Sequence, residues 1–154
     1  MPNATNKSWR LLCLVLVMLA GLASAARSAG MSIDDQLQLA DGLYNRGMYE
    51  LAIKEYLFVL ANATNLARTD EIAYRTGDSY RRIGDGAKAL VYFSQVEQGF
   101  PASPFRFRSV LRRAEMLEAG NRNDDVVALL DATLALGPPA ELAASMIYMR
   151  GATL

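Results

Sequence analysis

The chain repeats itself. Placing Ala52, Ala89 and Val126 in register, 37 residues apart, brings many other positions into agreement. Tyr56, Phe93 and Leu130 fall four residues further on, and Val59, Val96 and Thr133 seven. Upstream lie the small residues Ala40, Gly77 and Ala114, then Leu43, Tyr80 and Leu117. Gly47, Gly84 and Asn121 recur as turn residues, and each unit closes near Thr64, Pro101 or Pro138. The same step carries Gly151 and Leu154 into the places of Gly77 and Tyr80. Self-similarity at such a period is the signature of stacked supersecondary units, so each unit must be readable as one such element.

Each unit reads as two helices. Leu39, Ala40 and Leu43 recur at helical spacing, Gly47 stops that helix, and Ala52, Tyr56, Val59 and Leu60 define the next. Ser32 precedes an acidic first turn at Asp34 and Asp35, and Thr69 precedes Asp70 and Glu71. Ser103-Pro104 reads as a cap with proline at the first helical position, while Asp85 and Asn123 open second helices. No segment from residue 32 onward alternates with period two over a useful length, which predicts an all-α chain.

Composition narrows the function. Sixteen basic residues balance sixteen acidic ones, so the chain lacks the surplus cation that a dedicated nucleic-acid binder brings to phosphates. With no histidine there is no Ser-His-Asp triad, Cys-His dyad or HExxH zinc site. The first ten residues carry Lys7 and Arg10 and no acid; residues 11–22, LLCLVLVMLAGL, carry no charge, and Ala23-Ser24-Ala25 follows. That order describes a secretory signal peptide over 1–25, cut between Ala25 and Ala26, with 26–31 as a short linker. The apolar run is well short of the roughly 20 residues that span a bilayer, leaving an uncleaved anchor as the alternative. The only cysteine, Cys13, lies in the removed segment, so the exported product must hold together by packing without disulfides.

Gly77-x-x-Tyr80, Ala89-x-x-x-Phe93 and Pro101 resemble the tetratricopeptide repeat (TPR) signature in identity and spacing. The first unit keeps Ala40, Leu43, Tyr49, Ala52 and Tyr56; the third departs, with Asn121 for the turn glycine and Val126 for the small residue. The resemblance covers essentially everything after the signal peptide. The stretched period and the Phe100-Pro101-Ala102-Ser103 link are similar to bacterial envelope TPR proteins of the Tol–Pal-associated and outer-membrane-assembly types. The resemblance implies a right-handed superhelix of helix-turn-helix repeats at about 33–69, 70–106 and 107–143, with a partial fourth at 144–154.

In TPR proteins the first helices line a concave surface where peptides lie. Carried over, the inner positions that make the candidate groove hold Asp34, Leu37, Asp41 and Tyr44, then Glu71, Tyr74, Asp78 and Arg82, then Arg108, Leu111 and Glu115. Leu37, Tyr74, Leu111 and Tyr148 form an apolar column; Asp41, Asp78 and Glu115 form an acidic one. Two stripes of that kind fit a peptide bearing Lys or Arg beside apolar side chains. Asp78 and Arg82 can equally pair with each other at i,i+4. The paired carboxylates at 34–35, 70–71 and 124–125 sit in helix first turns, which suits capping better than hydrolysis. Phe105-Arg106-Phe107-Arg108 interleaves aromatic and basic residues, but it opens a helix on which Arg112 can pair with Glu115.

These readings converge on an exported, non-catalytic scaffold or adaptor that binds another protein in the periplasm or outside the cell. It needs no cofactor or metal, binds no nucleic acid, and meets the membrane only through its transient signal peptide. The alternatives are the N-terminal module of a larger envelope protein or enzyme, whose chemistry lies beyond residue 154, and a passive solenoid spacer. Gly151 and Leu154 fall midway along a first helix, so the register leads us to expect a fragment of a longer protein. Export is directly testable: intact-mass measurement of secreted material should show a chain starting at Ala26, and Met1 on membrane-bound protein would establish the anchor instead.

Overall fold

A computed structural model of the chain describes residues 31–63 and 67–154. The expected signal peptide, its Ala25–Ala26 cleavage point and almost all of the linker lie outside the described residues, as does Thr64. The described residues fold into seven α-helices and no strands: α1 (Ile33–Asn45), α2 (Tyr49–Asn62), α3 (Thr69–Arg82), α4 (Gly86–Gly99), α5 (Arg106–Ala119), α6 (Asn123–Leu134) and α7 (Ala140–Thr153). Each helix packs on the next in sequence, and α5 also meets α7.

The turn inside each of the first three hairpins is the same object. Gly47, Gly84 and Asn121 all adopt positive φ, at 76°, 86° and 57°. In the first turn Met48 N–H donates to Leu43 O at 3.0 Å and Gly47 N–H to Tyr44 O at 3.0 Å. The pair recurs as Asp85 to Tyr80 (2.9 Å) with Gly84 to Arg81 (3.1 Å), and as Arg122 to Leu117 (3.0 Å) with Asn121 to Glu118 (2.9 Å). This is the Schellman closure, which satisfies the last helical carbonyls and requires a left-handed residue. Glycine reaches that region freely, and asparagine is the side chain that tolerates it best.

Burial follows the register columns. Ala40 and Ala114, Ala52, Ala89 and Val126, and Tyr56, Phe93 and Leu130 are each 0% exposed. Gly77 is buried as well, and a Cβ there would meet Phe93 Cε1 at 3.0 Å and Tyr92 Cβ at 3.1 Å. Three apolar clusters result: Leu37, Ala40, Tyr56 and Ile72; Ile53, Tyr80, Ala89 and Phe93; and Val110, Ala114, Val126, Leu130 and Met146. The first and second of these draw on a helix from the neighbouring hairpin, and the third draws on α7, because no single hairpin covers its own apolar faces.

The boundaries depart from expectation in two places. Helix α5 begins at Arg106 rather than Pro104. A turn closed by Arg106 N–H on Ser103 O (3.2 Å) comes first, with Ser103 Oγ accepting from Phe105 N–H (3.0 Å) and donating to Asp70 Oδ2 (2.6 Å). Helix α6 ends at Leu134, where Gly137 turns left-handed (φ 69°) and Pro138-Pro139 prevents continuation. Helix α7 therefore starts at Ala140, ahead of the expected 144.

Phe93 should carry a large share of the stability. Phe93→Ala empties a fully enclosed site and should cost about 3–5 kcal/mol. The drop should appear in the urea midpoint at unchanged m-value, and a loss below about 1 kcal/mol would contradict the packing described.

Candidate functional site

The acidic column is occupied from within. Asp41 on α1 accepts from the Tyr56 hydroxyl at 2.7 Å, from Arg75 at 3.0 Å and from Arg68 at 3.1 Å. Both arginines also hold Glu71, Arg75 at 2.7 Å and Arg68 at 2.8 Å. Asp78 on α3, only 2% exposed, accepts from the Tyr44 hydroxyl, Arg81 and Arg82, each at 2.8 Å. Arg75 lies over the Tyr44 ring at 5.2 Å and Arg82 over Tyr49 at 5.1 Å. Glu115 on α5 is engaged through both oxygens by Arg112, at 2.8 Å. The i,i+4 pairing of Asp78 with Arg82 and the pairing of Arg112 with Glu115 were readable from spacing. The bonds that cross between hairpins, Tyr44 to Asp78 and Arg75 to Asp41, were not.

Burial and charge compete at these groups. Desolvation alone would raise the Asp78 pKa, but Arg82, Arg81 and the Tyr44 hydroxyl outweigh it and hold the carboxyl below its usual range. The Tyr44 and Tyr56 hydroxyls are pushed well above tyrosine's ordinary value, first by burial and then by donating to Asp78 and Asp41. They stay protonated donors throughout the physiological range. Glu71 is held low, chiefly by its bond from Arg68 against the opposing effect of burial.

The apolar column behaves differently along its length. Leu37 is enclosed in the first cluster. Tyr74 packs its ring against Phe93 and Phe105, with centroids 5.8 Å and 5.2 Å away. Leu111 sits between two adjoining depressions. One, about 270 Å³, is bounded by Tyr74, Arg108, Leu111, Arg112, Glu141 and Leu142. The other, about 520 Å³, lies between α5 and α7, with Leu111, Glu115, Glu118, Tyr148 and Met149 among its walls. Tyr148 is 80% exposed and stands at this second depression. Tyr74, Leu111, Glu115 and Tyr148 are thus brought to one face, while Leu37, Asp41, Tyr44, Asp78 and Arg82 belong to the packing of the first two hairpins. Asp34 is exposed in the first turn of α1.

Glu118 and Met149 were absent from the sequence reading. Glu118 was available to it, since 111, 115 and 118 share a helical face. Met149 depended on where α7 begins, which Gly137 and the two prolines decide. In the Phe105–Arg108 run, Arg106 lies over the Phe107 ring at 5.4 Å and Arg113 further along pairs with Glu97, so most of that segment serves the fold. Among the described residues no helix is long and apolar enough to cross a membrane, and no group of acidic or sulfur side chains is arranged to hold a metal ion.

Asp78→Asn should cost about 1–3 kcal/mol at neutral pH, since Arg81, Arg82 and Tyr44 lose their charged acceptor. A depressed folded pKa adds stability that is present above the unfolded value and lost as pH falls through the folded one. The gap between wild type and variant should therefore hold steady above about pH 5 and close below about pH 4, as denaturation curves across that range would show. A gap independent of pH would remove the charge from the explanation.

No protein-family model matches the chain, and a comparison with curated proteins finds no match.

Proposed function

We propose that this protein is an exported, non-catalytic scaffold of TPR type, a right-handed superhelix of about 37-residue units, three with a partial fourth. In this reading it binds a segment of another envelope protein along the concave face formed by its first helices. The identical turn bonds at Gly47, Gly84 and Asn121 and the buried register columns support the repeat. The signal-like first 25 residues support export.

One observation carries the binding site: Leu111 joins two depressions, with Tyr74 beside one and Tyr148 beside the other. This reading moves the groove toward α5 and α7. Asp41, Asp78 and Arg82 are already matched within the chain, and presenting them to a ligand would mean breaking charged hydrogen bonds, those of buried Asp78 among them. An exposed aromatic next to an apolar depression is the type of anchor that dominates peptide affinity.

Selection of a displayed library of random peptides against the full chain tests this. Leu111→Glu should abolish enrichment while leaving the circular dichroism unchanged. Tyr148→Ala should weaken a selected peptide about tenfold. Enriched peptides indifferent to both substitutions would place the binding surface elsewhere.

A further inference from the structure

The groove between α5 and α7 has two electrically different ends. Arg108 and Glu141 stand in the first turns of α5 and α7, so both helices begin at the same end of the groove. Glu118, near the end of α5, and Ala152, near the end of α7, mark the other. Unsatisfied N–H groups make a helix start partly positive and unsatisfied carbonyls make its end partly negative, so the two parallel dipoles add. The side chains follow the same sense. Arg108 is exposed and its guanidinium has no ion-pair partner among the described residues; the same holds for the Glu118 carboxylate. Between them Arg112 and Glu115 neutralise each other. Glu141 also lies at the positive end, where the starts of α5 and α7, roughly half a charge each, together offset it and leave Arg108 in surplus.

Resting on the groove proposed above, we infer that it reads its partner's charge order. Its occupant is a peptide segment with an acidic side chain at one end, apolar residues in the middle and a basic side chain at the other. The acid lies opposite Arg108, the apolar residues over Leu111 and Tyr148, and the base opposite Glu118. Ten helical residues separate Arg108 from Glu118, about 15 Å along the axis, the span of roughly five extended residues. Charge at the rim of an apolar groove contributes little affinity and much orientation, since a reversed segment sets like charges against each other at both ends. This differs from the uniformly basic ligand that an acidic column would select.

The same peptide library distinguishes the two levels of the argument. Peptides enriched on the wild-type chain should place acidic and basic residues on opposite sides of an apolar pair in one order. The exchange R108E/E118R, at two exposed positions, should enrich the opposite order, and Leu111→Glu should abolish enrichment in either background. For a synthetic peptide from the wild-type selection, Arg108→Ala should lower affinity about two- to fivefold at low salt and by less at high salt. Peptides that need Leu111 yet show no charge order, or keep the same order on R108E/E118R, would overturn the charge reading and leave the groove standing. If no peptide depends on Leu111, the groove and the charge reading fall together.

Discussion

The two helices of a hairpin can close on each other only where the residue facing the partner helix is small. A methyl group on Gly77 would lie 3.0 Å from the Phe93 ring and would require its neighbours to shift by a few tenths of an ångström, and Ala40 and Ala114 hold the equivalent places in the neighbouring hairpins. The small residue lets two antiparallel helices close on each other; the large residue four positions beyond Ala52, Ala89 or Val126 then fills the space their crossing leaves. Interiors at this density transmit a change of volume directly to their neighbours. The left-handed turns at Gly47, Gly84 and Asn121 serve the same arrangement, because they set where the second helix starts relative to the first.

Between hairpins the chain uses two kinds of seam. The first two hairpins meet partly through charged hydrogen bonds: Asp41 receives Arg68 and Arg75 from the hairpin after, and Asp78 receives Tyr44 from the hairpin before. The last hairpin and α7 meet through Leu130, Met146 and partly buried Met149, with one exposed ion pair, Arg150 to Asp131, across the same seam. This division decides where a ligand fits. A carboxylate already holding two guanidiniums and a phenol offers a newcomer nothing it could gain without breaking a bond, whereas an apolar face beside Tyr148 gains from being covered.

Much of this was legible in the sequence, and the rest was hidden for identifiable reasons. Periodicity located the helices and the buried columns because small, large and turn residues recur where packing demands them. It placed the three Schellman turns through Gly47, Gly84 and even the divergent Asn121. It could not see that Asp41 and Asp78 are consumed by the fold, because their partners Arg75 and Tyr44 lie 34 residues away and on different hairpins. Helical spacing exposes bonds within a helix and conceals those between hairpins. The start of α7 was misplaced because strict register ignored Gly137 and the prolines behind it. That local signal moves the helix start by several residues and brings Met149 to the groove wall.

The two seams also differ in what they permit. A hydrogen bond has a direction and a narrow range of length, so the network around Asp41 and Asp78 locks the first pair of hairpins into one registry. Apolar contact has no such direction, and specifies registry through the interdigitation of side chains alone. On the α3 flank of the groove several directional bonds specify position, while the α7 flank is specified by shape and by the single exposed pair of Arg150 with Asp131. The two helices that flank Leu111 are thus held by different means, one by bonds that fix an angle and a length, the other by the fit of side chains.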